Sequence, residues 1–446
     1  MSAVAGDINN DGAPEVVITE YGATRVFQNV SGKFREITAS SGVDNARWGV
    51  PASFLDFDRD GWLDLVVGNY VDYDPTQLCT DRQGRPEFCA PAAFPPTTTR
   101  LWRNITKEKG AEPRFEDWTV RSGIHQHPGV ALGIICADFT DDGWPDIFCS
   151  DDGRPNRLFV NQRNGTFTQE ALRRGLAYNA MGSTAANMGV ALGDLTGDGL
   201  ADLFVTHLSE EFHSFYQQDK PGLFTDIIGP SGMQQQAWRG TGFGAIAADF
   251  NHDGAVDIAL VNGLIRRASP PQTPLLPGVD SWWARYAQRP QLFLQRNSKF
   301  EVASPQNPAF CGQAAVGRSL AIGDLNNDGA PDLVVGNAGG PAQLYRSIAP
   351  NRGHWLKLRL LAPEWGNRDA IGAEVRLRAG EKTLWNILQP ATSYCSSNDP
   401  AVHFGLGTIT QLDRAEVLWP DGTTENFQIG AVDRTIVLQK GSGTRK

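Results

Sequence analysis

The sequence predicts an all-β chain: a ring of similar four-stranded units followed by a smaller β domain. Three observations carry this. A nine-residue acidic motif recurs six times within residues 1–349. Strand-length apolar runs flank every copy. From about Asn351 the motif stops while strand-like runs continue.

The motif first appears as "DINNDGAPE" from Asp7. It returns as "DFDRDGWLD" from Asp56, "DFTDDGWPD" from Asp138, "DLTGDGLAD" from Asp194, "DFNHDGAVD" from Asp249 and "DLNNDGAPD" from Asp324. Successive starts are 49, 82, 56, 55 and 75 residues apart, so a unit of about 50 residues carries two large insertions. Before each motif runs a small or apolar segment such as "ALGIICA"; after it come runs such as "EVVIT" and "LDLVVGN". Then follow "VFQN", "LWRN", "LFVN" or "LFLQRN", and finally segments such as "GKFREIT". The lengths and the Val, Ile, Phe and Leu content are those of strands, punctuated by Gly, Asn and Asp. Four short strands per repeat of about 50 residues is the arithmetic of a propeller blade. The Pro-rich insertions span residues 71–100 and 265–291, and the second carries Trp282, Trp283 and Tyr286. Loops of that length in a compact fold are commonly functional or disordered.

With 446 residues and 41% hydrophobic content the chain can bury a large core. No apolar run approaches the roughly 20 residues of a membrane span. A net charge of −10 argues against nucleic-acid or anionic-membrane partners. The first residues, "MSAVAGD", lack the basic and apolar features of a secretory signal. This leaves two expectations: a cytoplasmic chain, or an extracytoplasmic one whose signal was removed or never included. Of six cysteines, Cys79 and Cys89 lie in one Pro-rich loop and could close a small ring. Cys136 and Cys149 sit in apolar runs and read as buried thiols.

The acidic motif has the chemistry of a Ca²⁺ loop. Calcium takes six to eight oxygen ligands in flexible geometry. Alternate positions of a tight loop converge, and glycine at the sixth permits the sharp turn. The expected side-chain ligands are Asp7, Asn9, Asp11 and Glu15; Asp56, Asp58, Asp60 and Asp64; Asp138, Thr140, Asp142 and Asp146; Asp194, Thr196, Asp198 and Asp202; Asp249, Asn251, Asp253 and Asp257; and Asp324, Asn326, Asp328 and Asp332. The closing acid is ninth, at the start of a strand, where an EF-hand uses a twelfth-position Glu. Several structural Ca²⁺ ions are therefore expected. The competing reading is a set of Asp-Gly turns with solvated acids.

The six repeats resemble the FG-GAP (VCBS) repeats of integrin-type β-propellers. The resemblance implies a ring of seven blades, with six the alternative; a seventh could draw on C-terminal strands. Residues 350–446 contain "NRDAIGAEVRLRAG", "VHFGLG" and "EVLWPDGT", which look like the ASPIC/UnbV domain. Propeller plus this domain is the layout of the cartilage acidic protein (CRTAC) family. The family tends to have "SYLS" where this chain has Ser393-Tyr-Cys-Ser396, so Cys395 is a departure. Asn367, Arg368 and Asp369 read as a turn.

Thirteen residues after each motif's first Asp stand Glu20, Asn69, Asp151, His207, Asn262 and Asn337. In a propeller these form a polar ring at one face, at a ligand funnel, or else they are strand-ending turn residues. Arg47, Trp48, Trp238, Arg239, Trp282 and Trp283 are candidates for the same mouth. Glu20, His125, His127, Asp151 and His207 are the candidate catalytic residues. No GxSxG, Walker, GxGxxG or HExxH motif is present. Two functions follow as expectations. One is a calcium-stabilised recognition scaffold that binds a protein, glycan or small molecule at the funnel face. The other comes from the resemblance, because UnbV-type proteins are encoded in bacterial enediyne clusters. It is an enzyme or accessory protein of secondary metabolism, acting on an apolar substrate by cyclisation or isomerisation.

Overall fold

The computed structural model describes every residue except 82, 237, 269, 351 and 380–381. Six consecutive antiparallel sheets follow the six motifs. The first joins Ser2–Gly6, Glu15–Glu20, Ala23–Val30 and Lys33–Glu36 in sequence order. The next four are also four-stranded, with inner strands Gly49–Leu55, Ala131–Ala137, Val190–Gly193 and Gly242–Ala248. The sixth has three strands: Gly317–Gly323, Asp332–Asn337 and Gln343–Tyr345. In every blade the inner strand ends one residue before the motif and the second strand starts on its ninth residue. The first blade has all four of its strands, beginning at Ser2.

The turn is set by left-handed backbone at two motif positions. The sixth-position glycines Gly12, Gly61, Gly143, Gly199, Gly254 and Gly329 all have φ between 83° and 87°. Only glycine holds such φ without strain. The fourth position is also left-handed at Asn10, Arg59, Asp141, His252 and Asn327, and the fourth motif supplies Gly197 there.

Blades pack face to face. Phe57, Val66 and Leu101 of the second blade meet Ile134, Cys136, Ile147, Cys149 and Phe159 of the third. The equivalent contact recurs between the third and fourth, fourth and fifth, and fifth and sixth blades. Inner strands rich in Ala and Gly let these faces approach.

The C-terminal strands add no blade; they pair into two sheets of their own. Arg368–Asp369, His354–Ala362 and Val402–Gly407 form one, with Arg434–Gln439 parallel to His354–Ala362. Lys382–Ile387, Glu374–Ala379, Gln411–Leu418, Thr424–Ala431 and Thr444–Arg445 form the other. Their shared core is continuous with that of the first two blades. The two insertions leave their blades between the second and third strands, at the end opposite the acidic loops. Cys79 and Cys89 are disulfide-bonded; Cys136 and Cys149 are free and buried.

Candidate metal centres and the two propeller faces

Each motif folds back on its first aspartate. Asp7 accepts the Asp11 and Gly12 amides at 3.1 and 2.7 Å, and Asp56 and Asp249 repeat this pair. The ninth-position acid does something else. Both oxygens of Glu15 accept backbone amides, from Ile8 at 3.0 Å and from Asn29 at 3.3 Å. Asp64, Asp146, Asp257 and Asp332 tie the same two strands in the same way. This acid is therefore also a backbone staple between the loop and the third strand.

The loops concentrate buried negative charge. Burial, reinforced by Asp7, pushes Glu15 up to about 8. Burial and neighbouring motif acids push Asp202 and Asp257 up to about 8, and Asp56 and Asp249 to about 7. Burial is the larger cause in each case, and a cation held by these oxygens would favour the ionised form. Oxygen of Asp56, Asp58 and Asp64 lies within a mutual 4.8 Å. All the converging groups are hard oxygen donors, so the residues fit Ca²⁺.

The loops are not alike. In the second, Arg103 pairs with Asp58 at 2.5 Å and Asp60 at 2.8 Å. Arg163 pairs with Asp142 in the third, and Arg346 and Arg352 with Asp328 in the sixth. Although desolvation opposes it, the Arg346 hydrogen bond helps hold Asp328 at about 2. Among the described residues no Lys or Arg reaches ion-pair distance of the first, fourth or fifth motif acids.

Sequence reasoning missed Arg368. It opens the short strand Arg368–Asp369, where the sequence suggested a turn across all three residues; only Asn367, left-handed beside it, lies in the turn. The Arg368 side chain is buried, donates to the Gly61 carbonyl at 3.3 Å, and faces Asp56, Asp7 and Asp64. The C-terminal domain thus covers the acidic-loop face. His403 meets the Gly329 carbonyl at 2.8 Å, Gly407 donates to the His252 carbonyl at 2.8 Å, and Arg376 approaches Asp141.

A second missed feature joins the blades. The Asn104 side-chain amide donates to the carbonyl of Ile8, one blade earlier, at 2.8 Å. Asn161 does the same to Phe57 at 2.9 Å and Gln218 to Phe139 at 2.7 Å; Gln295 reaches Leu195. The signal was the Asn or Gln that closes runs such as "LWRN" and "LFVN".

The axis holds the chain's own residues. The segment 389–399 of the C-terminal domain threads it. Gln389 donates to the Cys136 carbonyl, Ser393 bridges Val190, Ser397 accepts from Ala5 and Asn398 from Ile322. Tyr394 and Cys395 pack among Val50, Leu132, Met188 and Phe243. Cys395, the departure from the family pattern, therefore lies in this plug.

The polar ring is largely consumed by turns. Asn69 binds Asn45 and the Thr98 carbonyl, Asn262 the Arg289 carbonyl, and Asn337 the Pro341 carbonyl. Asp151 is locked to buried Arg157 at 2.7 Å, and Glu20 pairs with Arg25 at 2.6 Å. His207 is fully buried, and burial lowers it to about 3. His125 and His127 lie in a short turn whose His127 carbonyl receives Arg157. No hydrogen bond joins any two of the five catalytic candidates among the described residues.

The insertion face is aromatic. Trp48 packs edge-on against Tyr21, Tyr70 and Tyr73, beside the Arg47–Asp72 pair. The two insertions meet: Phe88 packs against Trp282 at 6.1 Å, and the Tyr286 hydroxyl donates to Glu87 at 3.0 Å. Trp283 lies over Gly339, where a Cβ would sit 1.8 Å from its ring. Trp238 is half-exposed, and Arg239 stacks on Phe212 at 4.2 Å.

Comparison with known proteins agrees with this layout. The family model for ASPIC and UnbV matches residues 364–445, that for the FG-GAP-like repeat matches 7–67 and 138–205, and that for the FG-GAP repeat matches 316–347. Cartilage acidic protein 1 of Mus musculus is 23% identical over 98% of this chain and 64% of its own length. The Homo sapiens protein is 23% identical over 98% of the chain and 62% of its own. The chain thus spans less than two thirds of these relatives. Among solved structures, an Agrocybe aegerita lectin that recognises non-reducing terminal N-acetylglucosamine aligns with a TM-score of 0.45 at 15% identity, covering 79% of this chain and 84% of the lectin. An intramolecular trans-sialidase from Ruminococcus gnavus aligns at 0.38 and 8%, covering 78% of this chain and 96% of the enzyme. The chain joins FG-GAP repeats to an ASPIC/UnbV domain and is homologous, along 98% of its length, to cartilage acidic protein 1.

Proposed function

We propose that this protein is a calcium-stabilised recognition scaffold whose binding surface is the insertion-bearing face. The observation that carries this reading is the division of labour between its two faces. The acidic-loop face is covered by the C-terminal domain, and the axis is filled by Tyr394 and its neighbours. The opposite face keeps exposed aromatic side chains, Tyr21, Tyr73, Phe88 and Trp282, next to polar ones. Aromatic clusters with a polar rim suit protein or glycan recognition. Ca²⁺ would be held by the first-, third- and fifth-position oxygens, with the ninth-position acid shared between metal and backbone. Its chemistry there is to neutralise buried carboxylates and so fix the loops on which the C-terminal domain rests.

The test has two arms. Calorimetric titration of chelator-treated protein with Ca²⁺ should show saturable binding at several sites, and the melting temperature should rise with it. A glycan and protein array probed with the wild-type chain and with Trp282→Ala plus Tyr73→Ala should lose its hits only in the variant. Absence of calcium binding, or hits indifferent to those substitutions, refutes the corresponding half.

A further inference from the structure

One cleft on the acidic-loop side gathers arginine and aromatic side chains that the scaffold reading leaves unused. It lies between the second and third blades, near their outer strands, and its volume is about 160 Å³. Phe57, Trp118 and Trp144 form its apolar walls, and Arg103 and Arg163 line it from the two blades. The Trp118 indole N–H donates to the Gly165 carbonyl at 2.9 Å, and Arg59 stacks on Trp144 at 4.1 Å, so both walls are braced. Both indoles stay half-buried. Among the described lining residues Asp58 is the one acid, and none belongs to the C-terminal domain.

The two guanidinium groups are not a product of the repeat. Arg103 immediately precedes the blade-joining Asn104, and Arg163 stands two residues after the blade-joining Asn161. No other pair of neighbouring blades has Arg at both positions; the third and fourth blades have Val160 and Lys220 there. Each arginine is held by acids expected to hold calcium. Arg103 pairs with Asp58 and Asp60 at 2.5 and 2.8 Å, and Arg163 with Asp142 at 2.8 Å. Among the described residues neither has any other acidic partner. Asp58 is not satisfied by this pairing: its Oδ1 is buried without a hydrogen-bond partner. A buried carboxylate oxygen in that state has capacity for a cation that Arg103 does not supply.

We propose that this cleft is a calcium-dependent site for the acidic terminal sugar of a glycan, a uronate or a sulfated ring. The inference rests on the calcium reading given above. A cation shared by the loop oxygens weakens the attraction of Asp58, Asp60 and Asp142 for Arg103 and Arg163. Two guanidinium forks then become available to one carboxylate or sulfate group, the planar oxyanions that arginine binds in bidentate fashion. The indole walls take the apolar edges of the ring. The volume suits one terminal residue and not a longer ligand. The coupling is reciprocal: the acidic sugar tightens calcium at the second and third loops by the factor by which calcium tightens the sugar.

Calorimetric titration of the full chain, calcium-loaded and chelator-treated, with glucuronate, glucose 6-sulfate and neutral glucose tests the site. At least one acidic sugar should bind the calcium-loaded protein about fivefold or more tightly than the chelator-treated protein, and the tighter of the two names the acidic group. Glucose should not bind. The double variant Arg103→Gln plus Arg163→Gln should bind the acidic sugar at least about tenfold more weakly. It should still take up calcium, which shows that it is folded. Acidic-sugar binding that survives both substitutions, or that is indifferent to calcium, overturns the proposal. So does equal binding of glucose, or tighter binding of an N-acetylglutamate amide, which would make the ligand an acidic peptide. Saturable calcium binding with no acidic-sugar binding refutes this site alone. Failure of calcium itself to bind refutes the calcium reading, and this site with it.

Discussion

Tyr394, from the C-terminal domain, packs edge-on against Phe243 on the inner strand of the fifth blade, with ring centroids 5.1 Å apart and planes at 70°. Arg318 also stacks on Phe243, at 3.9 Å. One aromatic side chain therefore ties the two halves of the molecule together at the propeller axis. Removing a buried aromatic costs about 3–5 kcal/mol when the site cannot collapse. Tyr394→Ala should lower the unfolding free energy by about 3 kcal/mol, read from urea unfolding. Tyr394→Phe should cost much less, because packing carries the contact. A loss under about 1 kcal/mol in the alanine variant would show that the plug does not fill the axis.

The latch between blades has its own test. Asn161 donates to Phe57 across a buried boundary, and truncation leaves that carbonyl unpaired. An unsatisfied buried polar group costs about 1–3 kcal/mol. Asn161→Ala should fall in that range. Asn29→Ala, at the matching third-strand position of the first blade, where the side chain donates within its own blade to the Pro14 carbonyl, should cost no more than about half as much. Equal effects would mean that the bond to the preceding blade contributes nothing.

Much of this was legible in the sequence, because a repeat makes its own control. Six copies fixed the loop, the strand on either side of it and the 13-residue register. What single residues do within that register was not. Glu20, Asn69, Asp151, Asn262 and Asn337 do end their strands as counted, while His207 lies two residues beyond the end of Asp202–Val205; the hydrogen bonds and ion pairs of most of them turn inward to satisfy turns. Spacing places a side chain on a face without saying what it will meet. Arg368 and Tyr394 escaped for a related reason: their partners lie hundreds of residues away, so no local pattern points to them.

Arg103 competes for the oxygens that a cation would use. It pairs with Asp58 and Asp60 and is itself about one third exposed. A partly exposed ion pair of this kind is worth up to about 1 kcal/mol. Arg103→Gln should therefore tighten calcium binding at the second loop by about fivefold at most, with the other loops unchanged. Calorimetry of the variant against wild type checks this, and weaker binding in the variant would exclude the competition.

Calcium and pH should interact with a definite sign. Burial raises Glu15, Asp202 and Asp257 to about 8 in the folded chain, while unfolding returns them to ordinary carboxyl values. The folded state then binds more protons than the unfolded state between about pH 4 and 8, so their stabilising effect is lost as pH rises through 8. Buried histidines act in the opposite sense. Burial lowers His207 and His403 to about 3 and His213 to about 4, so their contribution is complete above about 6.5 and is lost as the medium becomes more acid. Between pH 6.5 and 8 only the carboxyl effect operates. Chelator-treated protein should lose stability steadily across that window, by up to about 1.4 kcal/mol per pH unit for each carboxyl. A bound divalent cation stabilises the ionised form, so the calcium-loaded protein should show little or no such loss. Urea midpoints at pH 6.5 and 8, with chelator and with excess Ca²⁺, give the four values needed. Parallel slopes in the two conditions would mean that these loops are not where calcium acts.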